Sequence, residues 1–352
     1  MVGQSPDGKD MRACYARAVD APVWTGDYIS GRRVIGFCHG KVGDHILVEG
    51  EENLSEPPDR PLTCQGNPAG VERTGPSPAE NLPADRLQPV PDGLRTAVED
   101  ALGTREDGQF VRRLLDEISA LRHHAWLVGG SVRDLLAAVP GAVVKDFDVT
   151  GTIGPDCLNS MVSLRRRSGV GDYIPWLSPE SNVWSVTPPG QRSQRLIEYK
   201  PLARPGSRFP VWGGSLEEDT TTRDLTFNAL YYDRNAGALA DPCGTGRSDL
   251  SMGVMATPLR STDPVEQASV VLRSMKFRLR YPELDVSQMV SWIRDELPED
   301  WAAHVPDLGW KRLVMTRRWS VLRELSGRDE LAAAGEFGQK AVQLVLEIRK
   351  RA

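Results

Sequence analysis

The chain has 352 residues, of which 40% are hydrophobic and 26% charged, and a net charge of −5. That length accommodates two domains with an appendage, and the apolar content supports a sizeable buried core. The slightly acidic total excludes a wholly basic nucleic-acid-binding chain but leaves room for a local basic face.

No run of about 18 apolar residues marks a membrane span, and the opening MVGQSPDGKDMRACYARAVD lacks the apolar centre of a signal peptide. Cys14, Cys38, Cys64, Cys157 and Cys243 are odd in number and scattered, which fits a reducing cytoplasm better than a disulfide framework. Residues 1–54 form an N-terminal extension of unassigned role. Within it, Val34 to Val48 carries short apolar runs split by glycines, as in a small β-hairpin. Cys14, Cys38, His39, His45 and Cys64 match no CxxC or HxxxH spacing and read as structurally ordinary. Residues 55–93 hold nine prolines between Pro57 and Pro91. Such a stretch offers little to bury, so a disordered linker and a loosely packed N-terminal region are expected.

From Leu94 the pattern changes. Phe110, Leu114, Leu115, Ile118 and Leu121 recur at helical spacing, and the spacing predicts a helix ending near His123 and His124. A short strand, Ala125 to Val128, leads into Gly129-Gly130-Ser131, and a helix from Val132 to about residue 138 is stopped by Pro140 and Gly141. Val143 and Val144 open a strand running through Asp146-Phe147-Asp148-Val149. Beyond residue 250 the chain reads as helical, with helices expected near 265–281, 286–296, 308–325 and 329–350.

On a strand, Asp146 and Asp148 share one face and Phe147 turns to the other. Two adjacent carboxylates repel, and a divalent cation such as Mg²⁺ resolves that repulsion. Alone, the pair reads more readily as two solvated aspartates at a strand end, since a lone DxD is common. Gly129-Gly130-Ser131 is either a tight turn or a place where phosphate approaches the backbone at a helix start. The turn comes one helix before the paired aspartates, so a phosphate cradle and metal carboxylates are expected to face one cleft.

The segment Leu127-Val128-Gly129-Gly130-Ser131-Val132-Arg133-Asp134, followed by Lys145-Asp146-Phe147-Asp148, resembles the head domain of bacterial CCA-adding tRNA nucleotidyltransferases and poly(A) polymerases, of the DNA polymerase β-like superfamily. Further matches keep the family order. They are Glu198-Tyr199, Leu202-Ala203-Arg204, Ser215 to Asp219, and Arg223-Asp224-Leu225-Thr226-Phe227-Asn228-Ala229-Leu230 against the motif RRDxTxNAL. Asp241-Pro242, Gly244, Asp249-Leu250 and Leu272-Arg273-Ser274-Met275-Lys276-Phe277 follow, so the resemblance covers roughly residues 108 to 281. It implies an α+β fold: a small mixed sheet of about five strands flanked by helices over 94–250, then a helical neck and body over 251–352.

The resemblance also implies template-independent transfer of NMP from an NTP, ATP and/or CTP, to an RNA 3′ end, with tRNA the expected partner and no membrane. Asp146 and Asp148 would be catalytic and hold two Mg²⁺ ions. Glu198 is either a third metal carboxylate or structural. Gly129, Gly130, Arg133, Arg223, Asp224, Asn228 and Arg273 would bind the nucleotide, while Asp134 serves as a partner for an arginine.

The chain departs from the family in several places. Thr222 replaces the first arginine of the double-Arg motif. In the neck motif EDxxR, whose Asp and Arg read the base, Gln267 and Val270 occupy those positions. A shifted register through Thr262-Asp263-Pro264 still lacks the arginine. The loop Ala137 to Val144 is long, Tyr173 to Gln194 does not match, and the chain stops about one helical domain early. These departures keep two further readings open: an acceptor that is a protein, a small molecule or a specialised RNA, and a non-catalytic RNA-binding head.

Overall fold

The structure is a computed structural model describing residues 28–29, 32–40, 43–49, 71–72, 82–83, 86–103, 106–137, 144, 146–167, 172–178, 182–191, 194–206, 210–309 and 313–352. Two compact units are present: Met1–Asp219 with Tyr231–Pro242, and Thr220–Leu230 with Cys243–Ala352.

The first unit begins with β1 (Tyr28–Ile29), β2 (Arg32–Gly40), β3 (Gly43–Val48) and β4 (Val71–Glu72). It continues with β5 (Leu87–Pro89), α1 (Asp92–Gly103), α2 (Glu106–Ala120), β6 (Ala125–Leu127), α3 (Gly130–Leu136), β7 (Phe147–Gly151) and α4 (Pro155–Arg167). After these come β8 (Ile174–Ser178), β9 (Val183–Thr187), β10 (Ile197–Pro201), β11 (Ala203–Arg204), β12 (Val211–Trp212) and the short helix α5 (Leu216–Thr220). A return excursion adds β13 (Tyr231–Asp233) and β14 (Ala238–Ala240).

The main sheet has eight strands in the order β5-β14-β13-β6-β7-β10-β9-β8. Every neighbour is antiparallel except β7 and β10, so the sheet is mixed. It exceeds the five strands expected from the sequence for two reasons. Within the unmatched stretch Tyr173 to Gln194, β8 and β9 pair antiparallel at one edge. At the other edge, Leu87–Pro89 pairs with β14 although it was assigned to the linker.

The core follows from the sequence periodicity. Phe110, Val111, Leu114, Leu115 and Ile118 bury one stripe of α2. Trp126, Leu127, Phe147, Val149, Ile197 and Tyr199 fill the central strands. Each fully buried aliphatic or aromatic side chain of this kind stabilises the fold by about 1.5–3 kcal/mol. The Tyr199 hydroxyl donates to the Ile153 carbonyl at 2.7 Å. Complete burial pushes its phenol well above the ordinary range.

The expectation of a loosely packed N-terminal region is not what residues 28–48 do. β2 pairs with β12, placing Val211 opposite Cys38 and Trp212 opposite Phe37. Val34, Phe37, Val48 and Trp212 form a small buried cluster. The Asp44 carboxylate is buried and accepts the Asp156 N–H at the start of α4, at 3.3 Å. A hairpin with apolar side chains on both faces gains stability by adding to a sheet, and the strand pair β11–β12 supplies it. Val71–Glu72 pairs with β1. The rest of the expected linker through residue 81, with Cys14 and Cys64, lies outside the described residues.

The second unit is helical, with α6 (Gly246–Met252), α7 (Pro264–Arg280), α8 (Ser287–Glu296), α9 (Trp301–Gly309), α10 (Leu313–Leu325), α11 (Glu330–Gly335) and α12 (Gln339–Arg349). Asp263 caps α7 by accepting the Val265 N–H at 2.8 Å, with Pro264 at the first helical position. The expected single helix over 329–350 is broken. Gly338, with φ of 94°, separates α11 from α12 in a conformation that an L side chain resists.

Leu225 and Phe227 belong to the apolar cluster that holds Val270, Val271, Met275 and Phe277 of α7. The stretch Thr220–Leu230, expected within the head, therefore groups with the helical unit. Among the described residues no helix is long and apolar enough to cross a membrane.

Candidate active site

Within the first unit, the site is assembled where β6, the glycine turn and β7 meet. The Val128 N–H donates to the Asp148 carbonyl at 2.9 Å, and the Gly130 N–H donates to Asp148 Oδ2 at 3.2 Å. Asp148 is thus tied to the turn by main chain and side chain together. Gly129 has φ 68° and ψ −137°, and a Cβ there would lie 2.8 Å from Asp148 Oδ2. Only glycine combines that backbone with that approach. The Ser131 hydroxyl donates to the Val128 carbonyl at 2.8 Å and closes the turn.

Phe147 is buried, Asp148 is partly buried and Asp146 is exposed just before β7. Arg133 lies in the first turns of α3, and its Nε donates to Asp134 Oδ1 at 2.7 Å. Its Nη2 would stand 3.6 Å from a Cβ on Gly130, so the guanidinium lies against the turn.

Glu198 is opposite Asp148 in the parallel β7–β10 register, and its carboxylate is ion-paired with Arg195. Among the described residues, no group of three or more His, Cys, Asp and Glu side chains is arranged to hold a metal ion. The carboxylates expected to hold metal, Asp146 and Asp148, are a pair of hard oxygen donors. Such a pair fits Mg²⁺, which takes one or two carboxylates and completes its shell with water and phosphate oxygens.

The second group of predicted residues lies within the helical unit. Arg223 opens the turn, and its N–H donates to the Thr220 carbonyl at 3.0 Å. Asp224 Oδ1 accepts the Leu225 N–H at 2.8 Å and the Asn228 Nδ2–H at 3.1 Å. Its Oδ2 is ion-paired with Arg273 of α7. Burial pushes the Asp224 carboxyl up, but Arg273, Arg318 and the two hydrogen bonds together hold it below its ordinary value. The carboxylate is thus a fixed anion that positions Arg273 and Asn228.

Several residues matched to family motifs without an assigned role hold these parts. The Thr226 hydroxyl donates to Asp249 Oδ2 at 2.7 Å, both buried, and pins the 3₁₀ turn Thr226–Asn228 to α6. Asp219 accepts the Ala203 N–H and the Tyr231 hydroxyl, each at 2.8 Å, and stitches β11 to β13 within the first unit. Ser215 and Glu218 exchange hydrogen bonds across a capping box. Its S-x-x-E spacing was readable in advance.

Arg318 of α10 had no local signal. Its Nε donates to Ser269 Oγ at 3.2 Å. The base-reading positions are otherwise occupied. Gln267 is buried and donates to the Ser261 carbonyl at 3.0 Å, and Val270 is packed in the core. Lys276 sits among Arg273, Arg280 and Arg318. Its own desolvation, then these guanidinium groups, lower its amine to about 8.

Residues 185–256 match the family profile described as the poly A polymerase head domain. Over that stretch the chain is similar to the head domain of poly(A) polymerases. The chain is 29% identical over 216 residues to the multifunctional CCA protein of Janthinobacterium sp. (strain Marseille), covering 56% of this chain and 47% of that one. It is 28% identical over 193 residues to poly(A) polymerase I of Salmonella typhi, covering 52% and 40%. Among solved structures, the Thermotoga maritima CCA-adding enzyme complexed with tRNA is 18% identical with a TM-score of 0.49, covering 73% of this chain and 55% of that one. The chain spans less than half the length of the curated relatives it matches.

Proposed function

We propose that the chain is a Mg²⁺-dependent nucleotidyltransferase that adds NMP from ATP and/or CTP to an RNA 3′ end, with tRNA as the favoured acceptor and the cytoplasm as its compartment. The observation that carries this reading is the bond between the Gly129-Gly130 turn and Asp148. It joins the phosphate-approach element to the carboxylate pair in one piece of backbone.

Asp146 and Asp148 would hold the ions, which when bound activate the attacking hydroxyl and offset charge on the departing pyrophosphate. Asp148 is fixed for that task by the Gly130 N–H, and Asp146 is open to solvent. Arg133, steadied by Asp134, offers its guanidinium to the phosphates on the turn side. Within the helical unit, Arg223 and Arg273 are the groups whose fixed positive charge suits phosphate or sugar. Asp224 orients Arg273 and Asn228 rather than reacting itself. In the reaction the RNA 3′ oxygen bonds to the α-phosphorus, the bond to the β-phosphate oxygen breaks, and pyrophosphate leaves.

One observation favours a different acceptor or base choice. Gln267 and Val270, at the family's base-reading positions, are committed to the fold of α7 and its approach. The test incubates the full chain and Mg²⁺ with each labelled NTP separately. The acceptors are tRNA lacking its 3′ CCA, mature tRNA, an unrelated RNA, or none. Extension of RNA by ATP and/or CTP, abolished by Asp146→Ala, is expected. NTP turnover without RNA transfers the assignment to a protein or small-molecule acceptor. RNA binding without any NTP binding leaves a non-catalytic head.

A further inference from the structure

We propose that Cys38 and His45 form a binding site for a thiophilic d¹⁰ metal ion, Zn²⁺ or Cu⁺, separate from the carboxylate pair and independent of the proposed transfer activity. The two residues are direct partners across the antiparallel β2–β3 ladder. Directly opposed residues project from the same face, so the thiol and the imidazole leave the sheet side by side.

That face is apolar: Cys38, Leu47 and Val211 form one buried cluster with Ile35 packed on it. His45 is 1% exposed and Cys38 0%. Both ring nitrogens of His45, Nδ1 and Nε2, are buried with no hydrogen-bond partner among the described residues. Imidazole always carries at least one donor or acceptor in need of a partner, and leaving both nitrogens dry is costly. Asp44, next in sequence on the strand, projects from the opposite face, where its carboxylate accepts the Asp156 N–H.

A metal ion offsets that cost. One imidazole nitrogen donates its lone pair, and Cys38, which carries a thiol rather than a disulfide, gives up its proton to solvent and binds as thiolate. Sulfur and imidazole donors select Zn²⁺ or Cu⁺ over Mg²⁺. Two protein donors suit Cu⁺ directly, whereas Zn²⁺ would complete its shell with water. Because both donors are buried, the ion must enter before the hairpin closes. The site would then act as a clip on the N-terminal hairpin. The spacing of Cys38 and His45 hides this arrangement, since metal motifs read along one strand or turn and this pair is made across two.

The test unfolds the full chain in chelator and refolds it with Zn²⁺, with Cu⁺ under anaerobic conditions, or with Co²⁺ as a spectroscopic probe. Excess ion is removed and bound metal measured by mass spectrometry. The wild-type chain is expected to retain about one equivalent of Zn²⁺ or Cu⁺. With Co²⁺ it should show a sulfur-to-metal charge-transfer band in the near ultraviolet. Cys38→Ser and His45→Leu should each lose retention by at least about tenfold. Should either fail to fold, the variant with Cys14, Cys64, Cys157 and Cys243 all changed to Ser decides, because Cys38 is then the one sulfur left among the five cysteines and the band must persist. A wild-type chain that retains no ion, a Co²⁺ form without the band, retention unchanged in Cys38→Ser, or loss of the band in that fourfold variant overturns the proposal.

Discussion

Replacing Gly129 by alanine tests the join at the heart of the site. The residue sits at φ 68° and ψ −137°, where a side chain costs of order 1–3 kcal/mol of backbone strain. The new Cβ would also stand 2.8 Å from Asp148 Oδ2. A carbon–oxygen contact relaxes to about 3.3 Å, so the carboxylate must shift by about 0.5 Å. Together these predict a loss of about 2–3 kcal/mol of stability and a fall of about 10- to 100-fold in nucleotide incorporation, because misplacement on this scale removes the productive geometry.

Gly130→Ala is the matched control. Its Cβ would lie 3.6 Å from Arg133 Nη2 and 3.7 Å from Asp148 Oδ2, which are ordinary contacts. At the first residue of α3, alanine is favoured over glycine by up to about 1 kcal/mol. Urea unfolding followed by tryptophan fluorescence, with incorporation assays alongside, separates the two. Equal stability loss in both variants, or no loss in Gly129→Ala, would refute the claim that the turn and Asp148 constrain each other.

Other predictions follow from the same contacts. Asp224→Ala leaves Arg273 without its ion-pair partner and should cost about 2–3 kcal/mol, measured by denaturant unfolding at neutral pH. Because the Asp224 carboxyl is held below its unfolded value, its stabilising contribution is full above the unfolded pKa and lost as pH falls through the folded one. Asp224→Asn should therefore flatten the acid side of the stability curve. Lys276 titrates at about 8 against 10.5 when unfolded, so the unfolded chain binds more protons between those values. Stability should rise with pH across that window, and Lys276→Met should abolish the rise while stabilising the chain at pH 7 by about 1–2 kcal/mol. Trp212→Ala, which empties the cluster with Val34, Phe37 and Val48, should cost about 3–5 kcal/mol and expose residues 28–48 to proteolysis.

The parts legible in the sequence are those whose signal is local. The apolar stripe of α2, the strand and turn before α3, and the alternation of Asp146, Phe147 and Asp148 each occupy a few residues with one period. The parts that were not legible depend on distant partners. Nothing in Arg32 to Val48 announces that β2 pairs with Val211–Trp212, because that pairing joins segments more than 150 residues apart and rests on complementary apolar faces. The placement of Arg223 to Asn228 with the helical unit likewise follows from Leu225 and Phe227 packing on α7, and from Asp249 and Arg273 holding their neighbours. The break at Gly338 was present in the sequence, but helical periodicity on both sides masked it.

The central claim is that Asp148, locked to the glycine turn, belongs to a Mg²⁺-dependent transfer site. The most direct measurement is RNA 3′-end extension by the wild-type chain and Asp148→Asn across a Mg²⁺ titration, with the fold of the variant checked by circular dichroism. Asparagine keeps the shape and an acceptor for the Gly130 N–H but removes the charge. The account predicts Mg²⁺-dependent extension that falls by at least about 1,000-fold in the variant while the fold persists. A folded Asp148→Asn chain that extends RNA within about threefold of wild type would contradict it.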